Sequence, residues 1–376
     1  MLNSGMVKVC QIISGDLWAG AEAMAFHLLK GLKKYRDLEL SVILLNEGKL
    51  ADEIRGLDIP AVVVNESKLS FLGAFVAIKK TLDQRPPDVI HSHRYKENIL
   101  AYLVSKTKKG IKLIGTQHGM PEVYVGGESL KHRFARKLNF VLLSKCFHDV
   151  VAVSRDIRKA FVNQYNFPQH KVKMIHNGIE TPVNALTRKE KDTYVIGSSG
   201  RFFPVKDYPL MVEVAREVLK ETNSVRFELA GDGPDKARIQ ELIRKYEMEK
   251  SFHLLGFVNQ IATFYQGLDL YLNTSFHEGI PISVLEAMAN QLPVIAAKVG
   301  GLDEIVEDGK NGCLIGNRDP KAYAKKCLKL IRNGALRGQM GFAAREKVIK
   351  EFSVDRMANQ YYELYSSVTA VGEIAD

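Results

Sequence analysis

Cysteine is scarce in this sequence, and its spacing excludes a zinc or disulfide framework. The only four cysteines are Cys10, Cys146, Cys313 and Cys327, and they form no Cys-x-x-Cys pair. Zinc ribbons and disulfide-stapled domains require cysteines in close pairs or fixed clusters. The pattern therefore favours a reducing compartment, and we expect no metal site.

Long apolar runs are also missing from the sequence. The longest fall well short of the roughly 18 residues that a membrane-spanning helix requires. The first residues carry Lys8, a short apolar stretch, Gly15 and Asp16, and they lack the apolar segment of a signal peptide. These absences predict a soluble, cytosolic protein of ordinary globular composition.

The excess of positive charge is confined to one half of the chain. The sequence holds 53 lysines and arginines against 43 aspartates and glutamates. Residues 1–180 contain 27 of these basic and 17 of these acidic residues, so the second half is neutral. A basic half indicates an anionic partner, such as a membrane surface or a phosphorylated substrate. Nucleic acid is not expected, because no recognised nucleic-acid motif or interleaving of aromatic and basic residues is present.

The pattern of short apolar runs predicts two α/β domains. A chain of 376 residues exceeds one comfortable core, so two domains are expected. Runs rich in valine and isoleucine alternate with helical patterns, which is typical of parallel sheets covered on both faces. The predicted strands are 7–13, 38–45, 59–64, 87–93, 111–117, 149–154 and 172–176, then 194–200, 225–231, 252–256, 268–274, 292–297 and 312–316.

Each half begins with a strand, a glycine-bearing loop and a helix. The polar segment 180–192 is typical of a linker. We therefore expect two doubly wound, Rossmann-like domains, 1–182 and 183–352, that face each other across a cleft. The C-terminal helix, about 353–376, is expected to cross back onto the first domain. Ligands bind at the carboxyl ends of the strands in such sheets, which makes the cleft the expected site.

Two glutamates in the segment HEGIPISVLEAMANQLPVIA, residues 277–296, stand out from their surroundings. Glu286 lies in an otherwise apolar helical stretch, where carboxylates are rare unless a partner satisfies them. Glu278 precedes the helix, whose first N–H groups attract anionic oxygens. Two alternatives remain open. Either Glu286 binds vicinal hydroxyls such as those of ribose, or it pairs with a lysine or arginine while Glu278 is solvated.

Cations and glycines follow two further strands of the second half. Arg201 and Lys206 lie in the loop GRFFPVKDYP, residues 200–209, where two cations are suited to neutralising a pyrophosphate. Gly300 and Gly301 lie between a strand and a helix, where bare N–H groups approach phosphate closely. Each feature is weak by itself, but together with the two glutamates they indicate an anion site.

The chain closely resembles the retaining glycosyltransferases of family 4, which have the two-domain GT-B architecture. The resemblance rests on GRF…K (200–206), AGDGP (230–234), LGFV (255–258), EGIPISVLEAMANQLPVIA (278–296) and GG…EIVEDGKNGCLI (300–315). The spacing of Glu278 and Glu286, with seven residues between them, is that family's signature. The resemblance covers nearly the whole chain and is strongest over residues 195–320.

The resemblance implies roles for these residues in binding a nucleotide diphosphate sugar. Glu286 would hold the ribose hydroxyls. Arg201 and Lys206 would hold the diphosphate, and Glu278 would contact the transferred sugar, so these three are expected to be catalytic. Other substrate-binding residues that it implies are Gly279 and Ile280 beside the sugar, Gly256, Phe257 and Val258 at the base, and Gly300 and Gly301 behind the phosphates.

The first half matches the family at two places and would supply the acceptor side. The loop GDLWAGAEAM, residues 15–24, resembles the family's glycine loop near the reacting centre. Ala19-Gly20 stands where two adjacent glycines are usual, so Gly20 is the expected substrate-binding residue. His118 matches a family position beside the donor sugar and is expected to be catalytic.

The resemblance implies a retaining, metal-independent hexosyltransferase that uses no cofactor besides its nucleotide sugar. The donor is UDP-linked by default. The acceptor would be a hydroxyl of a glycan or lipid-linked sugar in cell-surface polysaccharide or lipopolysaccharide synthesis. No Asp-x-Asp cluster is present to hold a divalent metal, and Asp232 in Gly-Asp-Gly suits a turn. The alternative is a nucleotide-sugar epimerase of the same architecture, which would need no acceptor.

The segment KHRFARKLNFVLLSKCF, residues 131–147, combines basic residues with an apolar stripe at helical spacing. Such a helix is suited to an anionic membrane surface, which would place the protein at the inner face of the cytoplasmic membrane. The alternative is a surface helix that packs its apolar side on the first domain. That side consists of Phe134, Leu138, Val141 and Leu142.

Overall fold

The chain folds into two compact units. This computed structural model describes residues 6–16, 18–120, 130–182 and 191–370, with the backbone alone for 130–132. The first unit comprises Met1–Gly178 and Val354–Asp376, and the second comprises Ile179–Ser353. The C-terminal helix is therefore part of the first unit. Most of the predicted linker, 183–190, lies outside the described residues.

The first unit is built on a parallel sheet of seven strands in the order β3-β2-β1-β4-β5-β6-β7. Its strands are β1 (Val7–Ile13), β2 (Leu38–Leu44), β3 (Ala61–Val63), β4 (Val89–Ser92), β5 (Lys112–Gln117), β6 (Asp149–Ala152) and β7 (Val172–Met174). Each lies within a predicted run, which confirms the parallel sheet. The strand order reverses between β1 and β4, and such a reversal opens a crevice at the carboxyl edge of the sheet.

Helices connect these strands and pack on a core of valine, isoleucine and leucine side chains. They are α1 (Gly20–Leu32), α2 (Lys49–Arg55), α3 (Phe71–Gln84), α4 (Tyr95–Ser105), α5 (Leu130–Cys146) and α6 (Arg155–Lys159). Serine caps begin two of them, because Oγ of Ser70 and of Ser154 accepts a first-turn N–H of α3 and α6. The strands bury residues on both sides of the sheet, as the near-continuous apolar runs predict.

The second unit has a parallel sheet of six strands in the order β10-β9-β8-β11-β12-β13. Its strands are β8 (Tyr194–Ser199), β9 (Val225–Ala230), β10 (Phe252–Gly256), β11 (Leu270–Asn273), β12 (Val294–Ala297) and β13 (Gly312–Ile315). The order reverses between β8 and β11. The crevice of this unit is therefore bordered by the loops 200–207 and 274–281, which contain the predicted cations and the first glutamate.

The described residues of the second unit contain a short 3-10 helix, Pro204–Lys206, and seven α-helices. The α-helices are α7 (Tyr208–Leu219), α8 (Lys236–Lys245), α9 (Ile261–Gly267), α10 (Ile282–Ala289), α11 (Leu302–Ile305), α12 (Pro320–Ile331) and α13 (Gly334–Glu351). A Cβ atom at Gly341 would lie 2.2 Å from the carbonyl oxygen of Gln291, so glycine lets α13 pack against the end of α10. This packing supports the helix that carries Glu286.

The last helix, α14 (Val354–Ala370), packs along α1 in the first unit. A Cβ atom at Gly31 would lie 2.7 Å from Cβ of Ala358, so glycine permits the close approach of the two helices. The rings of Tyr35 and Tyr362 stack with their centroids 4.2 Å apart. The C-terminal segment thus completes the core of the unit in which the chain begins.

Candidate functional site

An ion pair joins the loops that follow β8 and β11 at the carboxyl edge of the second sheet. Nζ of Lys206 lies 2.6 Å from Oε1 of Glu278. The same oxygen accepts hydrogen bonds from Oγ of Ser275 at 2.6 Å and Nδ2 of Asn273 at 3.3 Å. Burial would raise the pKa of Glu278, but Lys206 and these two hydrogen bonds hold the pKa below its ordinary value. The carboxylate is therefore ionised and fixed in orientation.

Backbone contacts hold Lys206 in place against the loop after β11. Oγ1 of Thr274 donates to the carbonyl oxygens of Lys206 and Asp207, at distances of 3.0 and 2.9 Å. The N–H of Phe276 donates to the carbonyl oxygen of Val205 at 2.8 Å. Asp207 has a left-handed φ of 44°, and it turns the chain into α7 directly after Lys206. The fold of the two loops thus fixes the backbone position from which the Lys206 side chain extends.

Arg318, between β13 and α12, clamps both of these loops. Its guanidinium donates to the carbonyl oxygens of Ser275 at 2.9 Å and Thr274 at 2.5 Å, and it pairs with the carboxylate of Asp207. It also lies 4.3 Å from the centre of the Phe276 ring. Sequence analysis missed this residue, because its partners are mainly backbone carbonyls far away in the chain. Nothing in the neighbouring sequence distinguishes Arg318 from an arginine on the protein surface.

Arg201 lies at the start of the loop after β8. Its guanidinium carbon is 4.0 Å from the centre of the Phe203 ring, which is a cation–π distance. The preceding residue, Gly200, has a φ of +152°, and a Cβ atom there would lie 2.8 Å from the hydroxyl of Tyr208. Glycine is therefore required where the chain turns from the strand towards Arg201 and Lys206.

The turn Gly231-Asp232-Gly233 packs against the same loop. A Cβ atom at Gly231 would lie 1.9 Å from the carbonyl oxygen of Gly200, and both turn glycines have positive φ. Oδ1 of Asp232 accepts the N–H of Gly233 at 2.8 Å, as expected of a turn residue. The N–H of Gly231 donates to the carbonyl oxygen of Gly256 at 2.7 Å, which joins the turn to the loop after β10.

The loop predicted to meet the base, Gly256–Val258, follows β10 at the same sheet edge. Gly256 has a φ of +66°, so it takes a left-handed conformation that favours glycine. The Phe257 side chain is 58% exposed and offers a flat apolar surface, while Val258 is half-buried. The contact of these residues with a base stays a prediction.

Glu286 lies on α10 with one carboxylate oxygen bound by a tyrosine. Its Oε2 accepts the hydroxyl of Tyr265 at 2.8 Å, and that hydroxyl is also 2.8 Å from Oγ of Ser199. Burial, followed by the charge of Glu286, raises the pKa of Tyr265, so the tyrosine stays a protonated donor. Tyr265 is a further site residue that sequence analysis missed.

The burial of the two glutamates differs from what the sequence indicates. Glu286 is only half-buried, although its neighbours on α10 are core residues. Glu278, which the ion-pair alternative leaves solvated, is buried with 9% of its surface exposed. The reason is the loop after β11, which surrounds Glu278 with polar partners from its own turn and from Lys206. That folding back is not visible in the local sequence.

Glycines allow a third loop to cross behind Glu278. Gly300 has a φ of +52°, and a Cβ atom there would lie 2.0 Å from the carbonyl oxygen of Glu278. The N–H of Gly301 donates to that same oxygen at 3.0 Å, so this N–H is bound by the protein rather than bare. Gly279 and Ile280, which follow Glu278, are buried. The predicted roles of these four residues in substrate binding remain predictions.

His118 and Gly20 lie at the carboxyl edge of the first sheet. Gly20 begins α1 after β1, and His118 follows β5. Nε2 of His118 is 3.1 Å from Nδ1 of His93, which follows β4. Burial, followed by the charge of Arg94, lowers the pKa of His118 to about 3, so its ring is neutral.

A buried ion pair that sequence analysis missed adjoins these residues. Glu22, in the first turn of α1, is fully buried, and its Oε1 accepts Nη2 of Arg94 at 2.5 Å. Nη1 of Arg94 is also 3.4 Å from the carboxylate of Asp16. An acid within an apolar helix is the signal that singled out Glu286, and the same signal was available for Glu22.

Helix α5 buries one part of its apolar stripe and exposes another. Leu142 belongs to the core, whereas Phe134 is 70% exposed and Val141 is 43% exposed. Lys137 and Lys145 are exposed four residues before and after Val141, and so lie on its face of the helix. The packing alternative therefore describes only part of the helix, and contact of the exposed part with a membrane stays a prediction. The side chain of Lys131, another basic residue of this segment, lies outside the described part of the structure.

The described residues contain neither a cluster of metal-binding side chains nor a helix suited to crossing a membrane. Within the part of the chain that the structure describes, no three histidine, cysteine, aspartate or glutamate side chains are grouped as metal ligands. No helix of that same part is both long enough and apolar enough to cross a bilayer.

Models of known protein families match both halves of the chain. The family described as Glycosyltransferase Family 4 matches residues 18–182, and the one described as Glycosyl transferases group 1 matches residues 184–347. Together they include every residue predicted for the site. The order of the two matches along the chain agrees with the two units of the structure.

Individual relatives agree with these matches. A poly(ribitol-phosphate) alpha-N-acetylglucosaminyltransferase of Staphylococcus aureus is 30% identical over 223 residues, which are 58% of this chain and 44% of that protein. A UDP-Gal:alpha-D-GlcNAc-diphosphoundecaprenol alpha-1,3-galactosyltransferase of Escherichia coli is 22% identical, and 96% of each chain is covered. The crystal structure of Anabaena HepE with UDP and glucose matches with a TM-score of 0.83 and 22% identity, over 96% of this chain and 100% of that one. At this identity the structural likeness shows the shared GT-B fold alone.

Proposed function

The chain belongs to glycosyltransferase family 4, and from this premise we propose that it transfers a hexose-type sugar from a UDP-linked donor to an acceptor hydroxyl. The observation that carries the proposal is the Lys206–Glu278 pair at the carboxyl edge of the second sheet. It lies where the strand order reverses, which is where such sheets bind nucleotides. Arg201 and Glu286 lie on elements that border the same edge.

The diphosphate of the donor is proposed to bind Arg201 and Lys206. An ammonium group has three N–H donors, and its ion pair with Glu278 engages one of them. The others are available for phosphate oxygens. Negative charge grows on the diphosphate as the bond to the sugar breaks, and cations fixed in place beforehand stabilise that charge. Glu286 would accept the ribose hydroxyls while Tyr265 holds one of its oxygens.

Transfer is proposed to proceed with retention, by attack of the acceptor on the face that the diphosphate leaves. A double displacement would require a free carboxylate as nucleophile. Oε1 of Glu278 is engaged by Lys206, Ser275 and Asn273, and the lysine offsets its charge. Such a carboxylate is a weak nucleophile but a well-oriented acceptor for sugar hydroxyls. Glu278 would therefore bind the sugar rather than form a bond with it.

The reaction is proposed to need no metal and no cofactor besides the nucleotide sugar. What supports this is that Arg201 and Lys206 both lie in the loop after β8, where Glu278 and Thr274 hold Lys206 in place. Activity in excess EDTA, compared with activity in Mg²⁺ or Mn²⁺, tests this directly. Equal rates are expected, and a rate that vanishes with EDTA and returns with one metal would contradict it.

The acceptor is proposed to be a glycan or lipid-linked sugar at the inner face of the cytoplasmic membrane, in cell-surface polysaccharide or lipopolysaccharide synthesis. Phe134 and Val141 on α5 are exposed beside Lys137 and Lys145, which is the pattern of a helix that lies on an anionic membrane. The basic excess of residues 1–180 adds attraction to such a surface. The names of both relatives above also give acceptors that contain phosphate groups.

A screen for release of UDP tests the proposed function. The purified protein is incubated with UDP-glucose, UDP-galactose and UDP-N-acetylglucosamine, with and without membrane extracts as the source of acceptor. At least one donor should release UDP, and Glu286→Ala should slow that release. Formation of an epimerised nucleotide sugar without UDP would favour the epimerase instead. No turnover of any donor, together with no binding of UDP, would contradict the proposal.

A further inference from the structure

Three polar side chains meet at the carboxyl edge of the first sheet. Gln11 lies on β1, His93 follows β4, and His118 follows β5. These three strands are adjacent in the sheet, with β4 in the middle. His93 is therefore flanked by the other two side chains, and the order of the strands sets the order of the contacts.

The contacts form a chain of two hydrogen bonds. Nε2 of His93 is 3.2 Å from Oε1 of Gln11, and Nδ1 of His93 is 3.1 Å from Nε2 of His118. The two histidine rings stack, with centroids 5.3 Å apart and planes 23° from parallel. Gln11 and His93 are buried, so water does not compete for these groups.

Both histidines are neutral, so the orientation of the Gln11 amide sets the direction of the chain. Burial, followed by the proximity of His91, His118 and Arg94, lowers the pKa of His93, as burial and Arg94 do for His118. A neutral imidazole has one N–H and one bare nitrogen. Gln11 is assigned with its amide oxygen towards His93, and an amide oxygen only accepts, so Nε2 of His93 donates to it. Nδ1 of His93 then accepts from Nε2 of His118, and Nδ1 of His118 is left unprotonated.

The neighbouring histidine shows what a purely structural role looks like. Both ring nitrogens of His91 have protein partners, the hydroxyl of Tyr365 at 2.7 Å and that of Thr116 at 2.8 Å. Nδ1 of His118, in contrast, is shielded from solvent without a partner among the described residues. A buried acceptor in that state costs free energy until a donor reaches it.

We propose that Gln11 and His93 are positioning residues that fix His118 in the tautomer whose Nδ1 accepts a hydrogen bond from a substrate hydroxyl. The chemical class of the ligand group follows from the chain, because a bare imidazole nitrogen binds a hydroxyl or amide donor and rejects an acceptor. This inference rests on the proposed function only in taking the hydroxyl to belong to a sugar substrate.

Nitrogen-15 NMR of histidine-labelled protein tests the tautomer directly. Long-range correlations between ring protons and ring nitrogens distinguish a protonated from a bare nitrogen, and His118→Asn assigns the signals. We expect His118 to carry its proton on Nε2, with Nδ1 bare, at pH 7. A proton on Nδ1, or on both nitrogens, would overturn the proposal even in an active enzyme.

The variant Gln11→Met tests the role of the chain. It removes the acceptor that orients His93 while keeping a side chain of similar length. We expect a mixture of His118 tautomers and a kcat/KM of transfer lowered about tenfold. Tyr361→Phe is the matched control, because it removes a buried hydroxyl from the Thr116 network of the same sheet edge without touching Gln11 or His93. It should leave the tautomer unchanged.

The outcomes separate this inference from the proposed function. An unchanged His118 tautomer in Gln11→Met would overturn the positioning role. A changed tautomer with unchanged kcat/KM would overturn the contact with substrate. If the unsubstituted protein shows the expected tautomer but transfers no sugar, the proposed function fails while the chain of hydrogen bonds stands. Should Gln11→Met fail to fold, the spectrum of the unsubstituted protein still decides the tautomer.

Discussion

Lys206 and Glu278 form a partly buried ion pair, 2.6 Å from Nζ to Oε1, between residues 72 positions apart in the sequence. The side chains retain 22% and 10% of their exposure, so water screens the pair only weakly. Lys206 keeps Glu278 ionised, and the pair holds both side chains in place. The pair therefore links the stability of the second unit to the geometry that we assign to donor binding.

Lys206→Met should destabilise the protein, because it leaves the charge of Glu278 buried without a counterion. Breaking one side of a buried pair costs about 3 kcal/mol, and the partial exposure of Lys206 places this case at the low end of the usual range. Urea unfolding at pH 7 measures the loss. Lys236→Met is the control, since it breaks the exposed pair with Asp232 and should change stability by less than about 1 kcal/mol.

The difference between Lys206→Met and the unsubstituted protein should depend on pH. The pKa of Glu278 is lowered in the folded protein, so its contribution is complete above the ordinary glutamate pKa of about 4.3. It is lost as the pH falls below that value. In the variant the buried carboxylate of Glu278 has no counterion, so its protonation at lower pH stabilises the folded variant. The stability gap should therefore narrow between pH 7 and pH 4, and a constant gap would contradict the assigned ion pair.

Glu286→Ala should abolish discrimination between UDP and 2′-deoxy-UDP. If Glu286 accepts the ribose hydroxyls, removing either partner loses the same hydrogen bonds, which are worth roughly 1.5–3 kcal/mol for a charged acceptor. The unsubstituted protein should bind UDP at least tenfold more tightly than the deoxy analogue, as measured by calorimetry. Glu241→Gln, on the exposed side of α8, is the control and should bind both as before. Retained discrimination in Glu286→Ala would remove the assigned role.

Arg318→Met should weaken UDP binding although Arg318 is not assigned a contact with the ligand. The guanidinium ties the backbone of Ser275 and Thr274 to Asp207, so its loss frees the loops that carry Lys206 and Glu278. We expect a Kd for UDP raised about tenfold, equivalent to about 1.4 kcal/mol. Arg332→Met, which breaks an exposed pair with Glu221, should change neither binding nor melting temperature appreciably. A lowered melting temperature with unchanged UDP affinity would mean that the clamp serves stability alone.

Reversing charge on α5 should release the protein from anionic vesicles. Lys137→Glu and Lys145→Glu together replace attraction by repulsion on the face that exposes Phe134, and each lysine near such a surface contributes about 1 kcal/mol. Flotation with phosphatidylglycerol-containing vesicles at low salt measures binding. Lys109→Glu, an exposed lysine after α4, is the control. If the unsubstituted protein does not float with these vesicles, the membrane proposal is wrong.

The strands were predictable from sequence because their signals are local. Valine- and isoleucine-rich runs with a glycine at or just after their end, such as 7–13 before Gly15 and 194–200, locate the sheet edges without any long-range information. Because the carboxyl ends of parallel strands share one edge, the grouping of Lys206 with Glu278 also follows from the strand pattern. The fold and the grouping of these two charged side chains are therefore predictable from the sequence.

The partners of the site residues were not predictable, because they depend on how distant loops close on one another. Arg318 binds carbonyl oxygens, which every residue possesses, and Tyr265 reaches Glu286 from a different helix. The burial of Glu278 depends on the polar turn that begins at Asn273. The strand pattern in the sequence identifies which charged residues lie at the carboxyl edge of the sheet. Tertiary contacts decide which of them have hydrogen-bond or ion-pair partners there.

A crystal structure of the protein soaked with UDP shows where the nucleotide binds. We expect the ribose hydroxyls on the carboxylate of Glu286 and the diphosphate oxygens on Arg201 and Lys206, with Lys206 still bound to Glu278. UDP bound at another place, with Glu286 paired to a protein cation, would contradict it.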